Sequence, residues 1–250
     1  MGVILKSQEE IKKMKESCRL VAELLVELTR LIAPGVSTAE LDAFARDWLK
    51  KRKAKSAFKG YKGYPAYICT SINEQIVHGI PSSRKLKWGD IIGLDVGVIV
   101  DGYYGDAALT VPVGRISPEA EKLLQVTRES LYKGIEQARL GNRLGDISYA
   151  IQFHVEKNSF SVVRDFVGHG IGRKLHEDPQ VPNFGAPGRG ERLKPGMVLA
   201  LEPMVNMGGP EVEVLDDQWT AVTQDGSLSA HFEHTVAITE NGPEILTSLD

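Results

Sequence analysis

Apolar positions Ile11, Met14, Cys18, Val21, Leu25, Leu28 and Ile32 recur every three or four residues, the period of a helix that buries one face. Just ahead of them, Ser7 and Glu10 have the spacing of a capping box, in which each side chain satisfies the other's backbone amide. Ala33-Pro34-Gly35 ends this helix, and Ser37 with Glu40 opens a second whose apolar face includes Leu41, Phe44, Trp48 and Leu49. From Tyr64 the pattern changes to short apolar runs separated by Gly and Asn. The strongest is a strand pair over 91–100 and 103–113, joined at Asp101-Gly102 by a two-residue turn. Ser117-Pro118-Glu119 starts a third helix running to about residue 140, and a fourth follows Gly141 from about 146 to 157.

The layout therefore begins twice. Aligning Gly35 with Gly141 places Glu40-Leu41 on Asp146-Ile147 at an offset of 106. Further on, Trp88-Gly89 with Asp95 falls on Pro195-Gly196 with Glu202 at an offset of 107. Two copies related by an approximate two-fold would bring Asp95 and Glu202 to equivalent places facing a shared cleft.

Composition narrows the class. With 250 residues, 42% of them hydrophobic and 25% charged, the chain suits one large globular domain. A formal charge of -3 creates no global field toward nucleic acid, so no DNA partner is expected. The apolar run 91–100 is interrupted by Asp95 and is far shorter than the ~20 residues that span a bilayer, so no membrane partner is expected either. Charged residues after Lys6 exclude a secretory h-region, and Cys18 and Cys69 are too few for a disulfide framework. A reducing, cytoplasmic setting is expected.

If Asp101-Gly102 is a type I′ turn, Asp95 faces Ala108 and Asp106 faces Gly97, which puts both aspartates on one otherwise apolar face. A single strand aspartate is usually a turn or edge residue; two on one face call for a cation. Glu202 and Glu233 also interrupt apolar runs. Four such carboxylates packed together would repel one another unless bound cations reverse the balance. His169, between Gly168 and Gly170, is the natural nitrogen ligand in their company, although a lone His between glycines is more often structural.

The stretches TSINEQIVHGIP (70–81), GDIIGLDVGVIVDGYYGDAALTVPVG (89–114), GHGIGRKLHEDPQVPNF (168–184), LKPGMVLALEP (193–203) and SLSAHFEHTVAIT (227–239) resemble those of type I methionine aminopeptidases, the bacterial short form. The resemblance implies an α+β, pita-bread (creatinase/aminopeptidase-like) fold, two pseudo-symmetric halves with helices covering curved antiparallel sheet. It implies one catalytic domain over 1–250, with halves of roughly 1–115 and 116–250. It also implies a centre of two divalent ions, Co, Mn, Fe or Zn. Asp95 would chelate one ion, Asp106 and Glu233 would bridge both, and His169 with Glu202 would complete the other, Glu202 also relaying a proton. The outer histidines His78 and His176 match the family's contacts to the amide nitrogen beyond the scissile bond and to the carbonyl oxygen. Tyr61, Tyr64, Cys69, Leu175 and Trp219 match its methionine pocket. Leu175 stands where many relatives have Phe, which loosens that wall. His231 stands where relatives often carry Gln, with a supporting role expected, and alternation assigns His234 to the other face as a structural residue.

The expected substrates are peptides and nascent chains with an N-terminal methionine and a small second residue, of which Met1-Gly2 is itself an example. A monomer is expected. The run Lys50-Lys51-Arg52-Lys53-Ala54-Lys55 is most simply a solvated helix end, with a ribosome contact as a secondary expectation. Three alternatives remain at this point: an X-Pro peptidase of the prolidase or aminopeptidase P kind, which would carry an extra N-terminal domain; a non-catalytic peptide-binding relative, which would have lost ligands; and a thiol hydrolase using Cys69 with His78.

Overall fold

The computed structural model describes residues 2–249, so Met1 of the substrate-like Met1-Gly2 start lies outside the described residues. Four helices carry the outer layer: α1 (Gln8–Leu31), α2 (Thr38–Lys51), α3 (Pro118–Gln137) and α4 (Leu144–Lys157). The capping boxes of α1 and α2 form as their sequences dictate, with the Ser7 and Ser37 hydroxyls accepting from the Glu10 and Glu40 amides. Helix α3 ends at Gln137, short of the expected 140, because Ala138 (ψ 57°) leaves the helical region. Helix α4 starts at Leu144 because the Asp146 carboxylate accepts the Arg143 amide and so stands at the helix's third position.

Nine strands make the main sheet: β1 (Lys55–Ser56), β2 (Cys69–Ile72), β3 (Ile91–Val100), β4 (Tyr103–Pro112), β5 (Gly168–Gly170), β6 (Glu177–Val181), β7 (Val198–Leu201), β8 (Glu233–Thr239) and β9 (Gly242–Ile245). Their order is β1-β3-β4-β8-β7-β5-β6, with β2 also on β3 and β9 also on β8. All these pairs are antiparallel. Asp101 (φ 49°) and Gly102 (φ 77°) both take the left-handed conformations of a type I′ turn. The hairpin register follows without a bulge: Asp95 opposite Ala108, Gly97 opposite Asp106.

Leu94, Val96 and Val98 of β3 pack with Leu24, Leu28, Leu41 and Leu49 of α1 and α2, while Leu199 of β7 and Val236 of β8 pack with Leu123, Ile135, Ile147 and Ile151 of α3 and α4. Because strand side chains alternate, burying Leu94 and Val96 under the helices turns Asp95 toward the opposite, concave face. Each half thus hides its apolar residues on one side of the sheet and presents its acids on the other.

The halves match in detail. Helices α2 and α4 are both 14 residues long and displaced by 106. The isolated bridges Ser37↔Lys85 and Arg143↔Arg192 correspond, as do the bonds Leu86 N–H to Val36 O and Leu193 N–H to Asn142 O. The halves meet where β4 pairs β8, but only Glu233↔Ala108 and His234↔Ala107 pair through the backbone. Beyond them, threonine hydroxyls take over. Thr235 Oγ1 donates to the Asp106 carbonyl (2.7 Å) and accepts the Asp106 amide (3.2 Å). Thr110 Oγ1 does the same for His231, donating to its carbonyl and accepting its amide, both at 2.9 Å. These reciprocal pairs hold two site-facing residues, Asp106 and His231, at the seam.

Thr235 is fully buried, so Thr235→Val keeps its volume while leaving both backbone groups of Asp106 unpaired. We expect a loss of about 1–3 kcal/mol in urea unfolding, with Thr235→Ser retaining most of the stability.

Candidate metal centre and substrate cavity

Residues from distant parts of the chain line one cavity of about 190 Å³: Asp95, Asp106, His169, Glu202 and Glu233, together with Tyr61, Tyr64, Cys69, His78, Leu175, His176 and Trp219. Every site residue expected from the sequence is brought to it. A larger groove of about 800 Å³ lies between α1 and α3 on the helical side of the sheet. It is mostly apolar, and Glu233 is the only residue it shares with this constellation.

Asp95 and Asp106 project from the hairpin, Glu202 follows the end of β7, and Glu233 begins β8. His169 sits mid-way along β5, where the sheet closes tightly around it. A Cβ on Gly168 would lie 2.4 Å from the Ala200 carbonyl oxygen, and one on Gly170 would lie 2.3 Å from that of Asp178. Only glycine fits on either side of this histidine. Its Nδ1 meets the Gly170 carbonyl at 2.9 Å, which fixes the proton there and leaves the Nε2 lone pair facing the cavity. That Nε2 stands 3.4 Å from Glu202 Oε1 and 4.0 Å from Asp106 Oδ2.

The electrostatics are those of a site built to hold a cation. Asp95 Oδ1, Asp106 Oδ1 and Glu233 Oε1 are buried with no hydrogen-bond partner among the described residues. Burial is the first cause that raises all four carboxyls. Mutual repulsion adds to it: Glu233 and Asp95 raise Asp106, while Asp106 and Asp95 raise Glu202. Burial also holds the histidines neutral, lowering His169 to about 3 and His78 to about 4. Donor atoms of Asp106, His169 and Glu233 all lie within 4.8 Å of one another. Buried acceptors, one neutral imidazole and no thiolate form the hard, oxygen-rich set that suits a catalytic divalent metal.

Around the acids stand the outer groups. His176, exposed at the mouth, bonds through Nδ1 to the Tyr61 hydroxyl at 2.8 Å, and its ring centroid is 4.2 Å from that of His169. His78 adopts a left-handed backbone (φ 61°) and is held edge-on between Phe166 and Trp219. The Tyr64 hydroxyl donates to Gly79 O at 2.9 Å, which turns its ring to the cavity beside Trp219. His234 bonds Thr247 through Nδ1 (2.8 Å) and stacks edge-on with Tyr132 on the helical side, as alternation predicts. His231 Nε2 is buried without a partner among the described residues, 3.9 Å from Glu202 Oε2.

Three contributors are absent from the sequence-based set. Phe58 and Lys62 line the cavity from an irregular loop, and Phe166 braces His78. None of them lies in a periodic pattern, so no local signal marks them. The thiol alternative fails on electrostatics. Cys69 lies opposite Asp95 in the sheet, and burial and then the Asp95 charge raise its thiol well above its usual range, the reverse of an activated nucleophile.

A family model for metallopeptidase family M24 matches residues 12–240. The methionine aminopeptidase of Clostridium perfringens is 57% identical over 245 residues, covering 98% of each chain. The crystal structure of methionine aminopeptidase from Thermotoga maritima superposes with a TM-score of 0.97 at 50% identity, covering 99% of this chain and all of that one. The prolidase of Pyrococcus horikoshii shares the fold alone, at a TM-score of 0.78 and 21% identity, and this chain spans 64% of it. The X-Pro alternative therefore gives way, and the fold is the pita-bread fold anticipated from the motifs. Identity above one half along nearly the whole chain, over a buried acid and histidine cluster of this kind, places the protein among the M24 metallopeptidases, in the methionine aminopeptidase family.

Proposed function

We propose that this protein removes the N-terminal methionine from peptides and nascent chains with a small second residue, in the cavity that holds Asp95, Asp106, His169, Glu202 and Glu233. The convergence of five ligand-type side chains, with unpartnered buried carboxylate oxygens, beside one side-chain-sized apolar pocket carries this reading.

As an M24 metallopeptidase the protein uses divalent metal. Asp95, Asp106, His169, Glu202 and Glu233 are the residues that would hold two such ions, Mn, Fe, Co or Zn. Bound there, they supply Lewis-acid polarisation of the scissile carbonyl and lower the pKa of water. The remaining work falls to the chain. Glu202, which lines the cavity with an oxygen 3.4 Å from His169 Nε2, is the carboxyl placed to hold and pass a proton. Burial raises the Tyr61 hydroxyl, which keeps its proton and donates to His176 Nδ1, so His176 Nε2–H is free to donate to the substrate carbonyl oxygen. His78, neutral and braced by Phe166, accepts from the amide beyond the scissile bond. Tyr64, Cys69, Leu175 and Trp219 enclose the unbranched methionine side chain in a volume too small for larger groups.

The chain reads as one catalytic domain, with halves of roughly 1–115 and 116–250 sharing this site. We place it in the cytoplasm as a monomer; among the described residues no helix is long and apolar enough to cross a membrane. Lys50, Lys51, Arg52 and Lys53 are exposed at the end of α2 and form the surface for a ribosome contact. Charge reversal there should lower ribosome co-sedimentation, and an unchanged profile would remove the contact.

Asp95→Ala and Glu233→Ala should each lose bound metal by elemental analysis and lose about a thousandfold or more in release of methionine from Met-Ala-Ser; wild-type rates in either would refute the site. Metal binding should also depend on pH in a defined direction. Burial pushes Asp95 up to about 7 and raises the other three carboxyls as well, while the site histidine is already neutral. Binding must therefore expel protons from the acids, and affinity should fall as pH drops from 8 to 6. Calorimetry in buffers of different ionisation heat should register net proton release, and a pH-independent affinity with none released would contradict this electrostatic account.

A further inference from the structure

The segment before α1 reaches the substrate side of the fold, and one of its charged side chains is buried there. Lys6 is 7% exposed, and its amide donates to the Gly196 carbonyl at 2.7 Å. Its Nζ makes a 2.6 Å ion pair with Glu177 Oε2 and also donates to the Ile4 carbonyl at 3.1 Å. The other oxygen of Glu177, Oε1, accepts the backbone amides of Arg173 (2.8 Å) and Lys174 (3.1 Å). The loop 171–176 is thus wound around the Glu177 carboxylate. It is tied to β4 by the Tyr104 amide, which donates to Gly172 O at 2.9 Å. Gly172 lies flat on the Lys6 stem; a Cβ there would be 2.5 Å from Lys6 Cε.

This loop carries Leu175, which is 3% exposed and walls the cavity, and His176, which faces the substrate carbonyl in the reading above. Lys6 and Glu177 themselves do not line that cavity. Both side chains are nearly solvent-free, at 4% and 3% exposure. Removing the ammonium would leave a buried carboxylate whose charge only two amides offset. It would then draw in water or turn outward, and the amides it anchors would move with it. A displacement of about 1 Å in a substrate-positioning group can cost on the order of a hundredfold in rate.

We propose that Lys6 is a positioning residue for the aminopeptidase reaction: through Glu177 it holds loop 171–176 so that Leu175 closes the side-chain pocket and His176 meets the carbonyl oxygen. This rests on reading His176 and Leu175 as substrate contacts. Lys6 would act on catalysis through geometry alone, leaving the metal ligands in place.

The test compares Lys6→Met, Lys6→Arg, His176→Ala and the Lys6→Met/His176→Ala double variant in the metal-loaded full chain, with Met-Ala-Ser as substrate. Lys6→Met should lower kcat/KM by about thirtyfold to a hundredfold while binding metal as the wild type does by calorimetry, and Lys6→Arg should recover most of the loss. The double variant should lose clearly less than the product of the two single losses, because both changes remove the His176 contact. Wild-type kcat/KM in Lys6→Met, or fully multiplicative losses in the double variant, would overturn the proposal. A wild-type rate in His176→Ala would instead sink the reading of His176 on which it rests. Should Lys6→Met fail to fold, Glu177→Gln provides the second route: its Oε1 still accepts the two amides but the ion pair is lost. Faster hydrogen exchange at Arg173 and Lys174 with lowered kcat/KM supports the role, and unchanged exchange and rate refute it.

Discussion

Four carboxyl groups and an imidazole share one buried cavity, and the rest of the molecule is organised around the repulsion among the acids. In low dielectric, like charges a few ångströms apart cannot all stay ionised at neutral pH without a countercharge, so burial and mutual repulsion push the acids toward their protonated forms. Divalent cations reverse this. The same burial that disfavours the metal-free acids raises the Coulombic gain on binding and excludes competing water. Affinity for metal and mutual repulsion among the acids are two expressions of one arrangement.

Holding mutually repelling groups together takes a rigid frame, and the paired halves provide it. Each half buries its apolar strand residues under two helices, which turns Asp95 and its counterpart Glu202 to the concave face. At the seam the strands pair through only two residue pairs, and threonine hydroxyls satisfy the backbone of Asp106 and His231 where the ladder stops. A buried amide or carbonyl left open there would cost about as much as a lost hydrogen bond. The hydroxyls therefore fix backbone position at the points where the acids need it. The symmetry is not carried into the chemistry. Ala108 pairs with Glu233 across the seam, so the two sides contribute different donors to one centre.

Outside the metal ligands, the cavity is shaped by residues that act through one another. Tyr61 orients His176, Phe166 and Trp219 brace His78, and Glu177 winds the loop that bears Leu175. Each of these is a local packing or hydrogen-bonding fact, and in the function proposed above together they select which amide and which carbonyl a bound peptide presents.

Much of this was legible along the chain because its causes are local. Capping pairs such as Ser7 with Glu10, the helical period of α1 and the Asp101-Gly102 turn act over a few residues. The turn alone set the register that puts Asp95 and Asp106 on one face. The likeness of five motifs to a known family then implied a candidate ligand set. What no local pattern contains is the meeting of residues far apart: Lys6 with Glu177 across 171 positions, His231 beside Glu202, Phe58 and Phe166 against the cavity. Those contacts depend on how the packed halves close upon each other, and that closure is a property of the whole core, decided only when the tertiary structure forms.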